Sequence, residues 1–148
     1  LQKQGITNLR PMNTGGKWKT DFGTIKAVAA VHSSCLPDGT YAANPMGFVI
    51  NSNEGDFYYS GDTALTMDMQ LIPRWAKLKF AVLPIGDIFT MDIDDAIATA
   101  DFVQCNKIIG VHYDTFEPIK INHEAAKEKF ATAGKELILL TIGQTIEL

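Results

Sequence analysis

Two histidines and one aspartate stand where short apolar segments of this chain end, and these residue types bind metal ions. The three positions, with the segment that precedes each, are His32 after 26–31, Asp62 after 57–61 and His112 after 107–111. In α/β sheets, reactive groups gather at the carboxyl ends of strands, so three such endings can converge on one site. Two imidazoles and a carboxylate suit a divalent cation such as zinc or manganese. The pattern therefore predicts a metal site at one edge of a sheet.

Each of these three residues also has a purely structural interpretation. His32 stands between a strand and a polar loop, where a histidine can simply hydrogen-bond to a neighbour. Asp62 lies in a Gly-Asp-Thr turn, and taken alone it is more typical of an Asx-turn or a helix cap. His112 is followed two residues later by Asp114, a carboxylate that can orient an imidazole or a water. Both interpretations stay open at this level.

The other candidate residues give weaker signals. Asp87 and Thr90 follow a buried strand, which places them at the mouth of the same site, although Asp87 can equally cap a turn. His123 is in the first turn of a helix and is expected to be a solvated surface residue. Cys35 lies three residues after His32, as in a thiol nucleophile paired with a histidine. A small buried thiol explains Cys35 more simply.

Composition indicates an ordinary globular protein with one domain over residues 1–148. Apolar residues make up 46% of the chain and charged residues 20%, and the formal net charge is −4. The absence of a basic run argues against nucleic-acid binding, and no stretch approaches the ~20 apolar residues of a membrane span. The two cysteines match no CxxC metal pattern, so a reducing, cytoplasmic compartment is expected.

The pattern of apolar residues and turn signals predicts a mixed α/β sheet with flanking helices. In the first half we expect a turn at 11–16, a strand at 26–31, a hairpin of 47–50 with 57–59, and a helix over 66–77 that Pro73 interrupts. In the second half we expect strands at 80–83, 107–111, 136–140 and 145–147, and helices at 92–103 and 122–133. The first half is thus rich in hairpins, whereas the second reads βαβαβ.

Six short motifs carry a resemblance to a known family. In chain order they are PMNTGG, AVHSS, GFVI, YYSGDTALTMDM, LPIGDIFTM and GVHYDTF. This series resembles the C-terminal half of a metallo-β-lactamase-fold protein, in the branch of bacterial metal-dependent hydrolases related to the ascorbate-phosphate lactonases. The resemblance implies half of a four-layer αβ/βα sandwich, with a two-metal site at the seam between the halves.

The resemblance also implies roles for individual residues. His32 corresponds to a ligand of one metal, Asp62 to the catalytic carboxylate that bridges both metals, and His112 to a ligand of the second metal. Two zinc or manganese ions per complete site are expected. From loop position alone, further residues are expected around the substrate or behind the ligands, and these are Asn13, Ser33, Asp87, Thr90, Tyr113, Asp114 and Thr115.

The family's first motif, HxHxDH, does not occur in this sequence, whose three histidines are well separated. The expectation is therefore that the chain is the second half of a longer protein and that the isolated chain is inactive. A missing N-terminal half, or a second copy of the chain, would then cover the inner face of the sheet.

The function implied by the resemblance is that of a hydrolase acting on a small molecule. A metal-activated water would attack an ester, lactone, amide or phosphoester. One alternative is a non-catalytic subunit or fragment with a role in assembly, which the missing motif favours. The other is a nuclease of the same fold, which the negative net charge makes less attractive.

Overall fold

Seven strands form one mixed sheet in which the spatial order of the strands follows the chain. The computed structural model describes residues 4–148. The strands are β1 (Lys17–Lys19), β2 (Gly23–Ala29), β3 (Met46–Ser52), β4 (Asp56–Tyr59), β5 (Leu78–Pro84), β6 (Lys107–Val111) and β7 (Glu136–Leu139). Pairing is antiparallel from β1 to β4 and parallel from β4 to β7. The prediction of a mixed sheet, with hairpins first and βαβαβ second, is confirmed.

Two α-helices connect the parallel strands, and each begins at a polar capping residue. They are α1 (Ile93–Phe102) and α2 (His123–Thr132). The Asp92 carboxylate accepts a hydrogen bond from the Asp95 N–H at 2.8 Å, and the Asn122 side chain accepts one from the Ala125 N–H at 3.0 Å. Such caps satisfy N–H groups that have no partner within the helix. Both helices lie within the predicted ranges.

Three local predictions need correction. The segment predicted as a helix over 66–77 forms a 3₁₀ helix, Met67–Arg74, because Pro73 has no N–H and Thr66 gives no side-chain cap. The final strand predicted at 145–147 is absent, since a turn between Thr141 and Gln144 follows β7. Strand β1 was not predicted, and its three residues are all exposed at the edge of the sheet.

One face of the sheet is fully covered by the helices. Residues in register across five adjacent strands form a buried row of Val49, Tyr58, Ala81, Ile108 and Leu137. Side chains of both α-helices and of the 3₁₀ helix complete this core. Burial of this apolar surface is the main favourable contribution to folding.

The other face of the sheet is also apolar but remains partly accessible. The adjacent register row consists of Phe48, Tyr59, Val82, Ile109 and Ile138. Four of these residues are half-buried, and Tyr59 is 44% exposed. An apolar face of this kind is typical of a surface that another layer covers.

Within residues 4–148, no helix is long and apolar enough to cross a membrane.

We predict that Phe130→Ala lowers the free energy of unfolding by about 3–5 kcal/mol, because it leaves a cavity under the sheet. Phe130 lies on α2 and is 0% exposed. The measurement is urea denaturation followed by circular dichroism. Ile142→Ala is the control, since that side chain is fully exposed, and its effect should stay within about 0.5 kcal/mol. Equal effects of the two variants would contradict the packing described here.

Candidate functional site

The three predicted metal ligands lie at one edge of the sheet. Strands β2 and β4 both pair antiparallel with β3, and β4 runs parallel to β5 and β6, so β2, β4 and β6 share one direction. Their carboxyl ends therefore meet at the same edge. His112 follows β6 directly, whereas His32 and Asp62 stand three residues beyond β2 and β4.

His112 and Asp62 approach each other without forming a hydrogen bond. The distance from His112 Nε2 to Asp62 Oδ2 is 3.8 Å, which is longer than a hydrogen bond. A zinc ion binds imidazole nitrogen and carboxylate oxygen at about 2.0–2.2 Å, so one ion can reach both atoms. The other ring nitrogen, His112 Nδ1, is buried and has no partner in the described residues. The chemistry of this pair fits a divalent cation.

The ring of His32 is oriented by its own loop. Its Nδ1 lies 2.8 Å from the carbonyl oxygen of Ser33, and because a carbonyl only accepts, Nδ1 carries the proton. The lone pair is then on Nε2. A histidine that binds a metal typically donates its second nitrogen to such an oxygen, which fixes its tautomer. His32 is therefore prepared to act as a ligand through Nε2.

Thr63 joins the loop of His32 to the loop of Asp62. The Thr63 hydroxyl accepts a hydrogen bond from the Val31 N–H at 2.9 Å, and the Ala64 N–H donates to the Val31 carbonyl at 3.0 Å. Thr63 is completely buried. The Gly-Asp-Thr motif in the sequence does not by itself indicate this role for Thr63. Only the fold shows that this hydroxyl holds two ligand loops together.

His32 and His112 line the same open cavity, which has a volume of about 460 Å³. Its other lining residues are Val31, Ser33, Ala64, Ile88, Phe89 and Phe116. Within the described range 4–148, no group of three or more His, Cys, Asp or Glu side chains is close enough to hold one ion. The donor types thus suit a divalent metal, while the donors number fewer than the four that a zinc site has.

Of the residues predicted around the ligands, Ser33 lines this cavity and others lie elsewhere. Asn13 borders a hollow beside β1 and accepts from the N–H groups of its own turn. Thr90 has a buried hydroxyl without a partner in the described residues, and it is not in the cavity lining. Thr115 is exposed on the loop that follows His112.

Asp87 shapes a turn. Its carboxylate accepts a hydrogen bond from the Ile88 N–H at 2.6 Å, and its carbonyl accepts from the Thr90 N–H at 3.0 Å. Asp87 borders a hollow next to α1 and is not in the lining of the cavity that contains the two histidines. Of the two interpretations that the sequence left open, the structure shows the turn cap.

Asp114 pairs with His123, and among the described residues no hydrogen bond joins its side chain to His112. Its carboxylate lies 2.5 Å from His123 Nε2 and accepts from the Ile121 N–H at 3.0 Å. The hydrogen bond from Ile121, together with that from His123, lowers the pKa of Asp114 below its usual value. His123 is exposed, as expected of a solvated surface residue, and it also pairs with the loop that begins at His112.

Tyr113 points towards the helix layer. Its hydroxyl donates to the Leu140 carbonyl at 3.3 Å, and its ring packs edge-on against the ring of His123 at 5.5 Å. Burial, together with the charge of Asp114, raises the pKa of the Tyr113 hydroxyl. Tyr113 thus stabilises the loop from the inside.

Cys35, expected to be buried, is exposed because it lies in an irregular loop bridged to Tyr41.

Gly86 allows the chain after β5 to approach the backbone of His112. A Cβ atom built on Gly86 would lie 2.1 Å from the His112 carbonyl oxygen and 3.0 Å from the Ile119 Cβ. Only glycine fits at this distance. His112 itself has a positive φ of 55°, so its backbone is held in an uncommon conformation by these contacts.

The comparisons with known proteins agree with this fold. A model of the Beta-lactamase superfamily domain matches residues 1–113. This chain belongs to that family, which is the resemblance that its motifs indicated. The sheet and helices also match solved structures: a metallo hydrolase, Igni18, from the archaeon Ignicoccus hospitalis aligns with a TM-score of 0.84 and 30% identity, over 98% of this chain and 63% of its own.

Curated relatives are more similar in sequence. A UPF0173 metal-dependent hydrolase of Flavobacterium johnsoniae is 57% identical over 99% of this chain, and one of Methylacidiphilum infernorum is 47% identical over 100% of it. The chain spans 64% and 66% of the lengths of these two relatives. An isothiocyanate hydrolase from Delia radicum gut bacteria shares the fold, with a TM-score of 0.76 at 19% identity, over 99% of this chain and 62% of its own.

We predict that Gly86→Ala displaces the His112 backbone and weakens zinc binding at least tenfold, because the new methyl group overlaps the His112 carbonyl. The accompanying loss of stability should be about 1–3 kcal/mol, as for other overpacked sites. Isothermal titration with zinc and thermal denaturation measure the two effects. Ile142→Ala is the control, since that side chain is fully exposed. Unchanged zinc affinity in Gly86→Ala would show that this contact does not position His112.

Proposed function

We propose that this chain carries part of the active site of a metal-dependent hydrolase that acts on a small molecule. The observation that supports this most directly is that His32, Asp62 and His112 all lie at one sheet edge, with Asp62 3.8 Å from His112 and both imidazoles on one cavity. The names of the relatives from Flavobacterium johnsoniae and Methylacidiphilum infernorum describe the same activity. The proposed substrate is an ester, a lactone, an amide or a phosphoester.

The proposed metal site holds two divalent cations, zinc or manganese. His32 would bind one ion through Nε2 and His112 the other, while the carboxylate of Asp62 would bridge them. Bound cations of this kind supply Lewis acidity, which activates water and polarises the bond under attack. The free oxygens of Asp62 suit this role, since the side chain is exposed and 3.8 Å from the His112 ring.

The chain's own residues would hold this arrangement in place. Ser33 keeps the proton of His32 on Nδ1, so that Nε2 faces the ion as a neutral ligand. Thr63 fixes the spacing of the two ligand loops. Preorganised ligands of this type lose little conformational freedom when they bind, which strengthens binding.

We also propose that a further segment completes the site by packing on the apolar sheet face around Tyr59. The candidate ligands here are too few for two ions, and the relatives are about one and a half times as long as this chain. The missing segment would be an N-terminal half on the same or another polypeptide, and residues 1–148 would then form one half of the sandwich. A second copy of the chain is the other candidate for this face.

A purely structural role remains the second candidate function. Within residues 4–148, no three ligand side chains share one ion, and the accessible apolar face suits an assembly surface. Nothing comparable favours a nuclease, because the lining of the cavity contains no lysine or arginine.

A cytoplasmic location is proposed from the two cysteines, Cys35 and Cys105, both of which are free thiols.

We predict that Asp62→Ala abolishes zinc binding and hydrolysis together, because it removes the carboxylate shared by both ions. Activity should fall by at least 100-fold, as measured with a panel of esters and lactones alongside isothermal titration with zinc. Glu128→Ala is the matched control, since it removes an exposed carboxylate on α2 far from the cavity. Activity that survives in Asp62→Ala would contradict the two-metal site.

We predict that native mass spectrometry of the purified protein detects a species heavier than the 16.2 kDa of this chain and carrying two metal ions. The added mass would come from a longer polypeptide or from a partner that covers the apolar sheet face. Treatment with a chelator should remove the metal mass and leave the assembly mass. A metal-free species of 16.2 kDa would favour the purely structural role.

A further inference from the structure

Apart from its two histidines and Ser33, the candidate cavity is lined by apolar side chains. The apolar lining residues are Val31, Ala64, Ile88, Phe89 and Phe116. Four of them are large and strongly exposed: Val31 at 56%, Ile88 at 64%, Phe89 at 52% and Phe116 at 46%. The Phe89 and Phe116 rings lie 5.9 Å apart, so these side chains form one continuous wall. Large apolar groups exposed together beside a polar centre are typical of a ligand site.

The turn that presents Ile88 and Phe89 is conformationally strained and held by hydrogen bonds. Asp87 and Ile88 have φ angles of 60° and 42°, and a β-branched residue rarely adopts a positive φ. Asp87 fixes this shape, because its backbone N–H donates to the Met91 carbonyl while its oxygens accept from the N–H groups that follow. Strain held in place by such a network is common at ligand sites. The result is that two apolar side chains project beside the histidines.

The absence of cationic side chains from the cavity lining narrows the class of substrate that the site suits. Its lining contains no lysine or arginine, the residues that usually recognise phosphate oxygens. The six other lining residues, five of them apolar and one a serine, instead suit a neutral molecule with an apolar part. A volume of about 460 Å³ lies within the usual range for small-molecule sites.

We propose that Ile88, Phe89 and Phe116 form a subsite for the apolar acyl group of an uncharged carboxylic ester or lactone. The inference rests on the proposed hydrolase function and narrows its substrate class by setting phosphoesters aside. In the reaction, the oxygen of water bonds to the carbonyl carbon and the carbon–oxygen bond of the ester breaks. The alkoxy oxygen takes a proton from that water, so the products are a carboxylic acid and an alcohol.

The test uses the protein expressed from its complete reading frame and loaded with zinc. Substrates are p-nitrophenyl acetate, butyrate and octanoate, with p-nitrophenyl phosphate for comparison. We expect kcat/KM to rise at least tenfold from acetate to octanoate, because each added methylene gains contact with the apolar wall. Direct binding of octanoate and acetate, the corresponding products, is measured by isothermal titration and needs no turnover.

Ile88→Asn is the main variant, because asparagine tolerates a positive φ while it removes the apolar side chain. It should lower kcat/KM for octanoate far more than for acetate, so that the preference for octanoate is lost. Phe116→Ser should act in the same direction. Ile142→Asn, on a fully exposed residue away from the cavity, should leave the preference unchanged.

The outcomes separate the subsite from the hydrolase function. Equal kcat/KM for all esters, or a preference for the phosphate, would overturn the subsite while the hydrolase function stands. Octanoate binding that Ile88→Asn abolishes, without hydrolysis of any ester, would support the subsite and contradict the hydrolase function. A lower assembly mass for Ile88→Asn in size-exclusion chromatography would show that the wall is an interface between chains, which also overturns the subsite.

Discussion

The direction in which the strands pair is the constraint on which the candidate site depends. Strands β2, β4 and β6 run the same way because two antiparallel pairings and two parallel pairings lie between them. Their carboxyl ends therefore bring His32, Asp62 and His112 to one edge from positions 80 residues apart along the chain. Reversal of any one strand would carry its ligand to the opposite edge. The parallel pairings in turn require the crossover connections, α1 and α2, whose apolar sides cover one face of the sheet.

The two faces of the sheet serve different purposes. The row through Tyr58 and Ile108 is completely buried under helices and stabilises the fold, whereas the row through Tyr59 and Ile109 stays partly accessible. Since side chains alternate between the faces, both rows come from the same strands, and these strands are apolar almost throughout. Such strands are typical of sheets that are covered on both sides. The partly accessible apolar face is therefore the surface on which the proposed further segment would pack.

Several uncommon backbone conformations and one close contact lie around the cavity. Ile88, His112 and Asp114 all have positive φ, and Gly86 approaches the His112 carbonyl more closely than any side chain allows. Departures also occur away from the cavity, since Ala43 and Gln104 have positive φ, whereas local sequence and fold agree at the caps of both α-helices. Departures of this kind gather at functional sites, because the surrounding structure stabilises a geometry that local preference disfavours. The Asp114–His123 pair and the hydroxyl of Thr63 provide part of that support.

The sequence by itself determined the strand and helix pattern, the two α-helix caps and the three candidate ligands, because apolar periodicity, capping residues and strand-end positions are local signals. Tertiary structure decided the rest. The pairing of Asp114 with His123, the link made by Thr63 and the apolar wall at Phe116 all join segments distant in the chain. No local pattern records which side chains will meet across a turn or a sheet edge, so these contacts became visible only once the strands were placed in register.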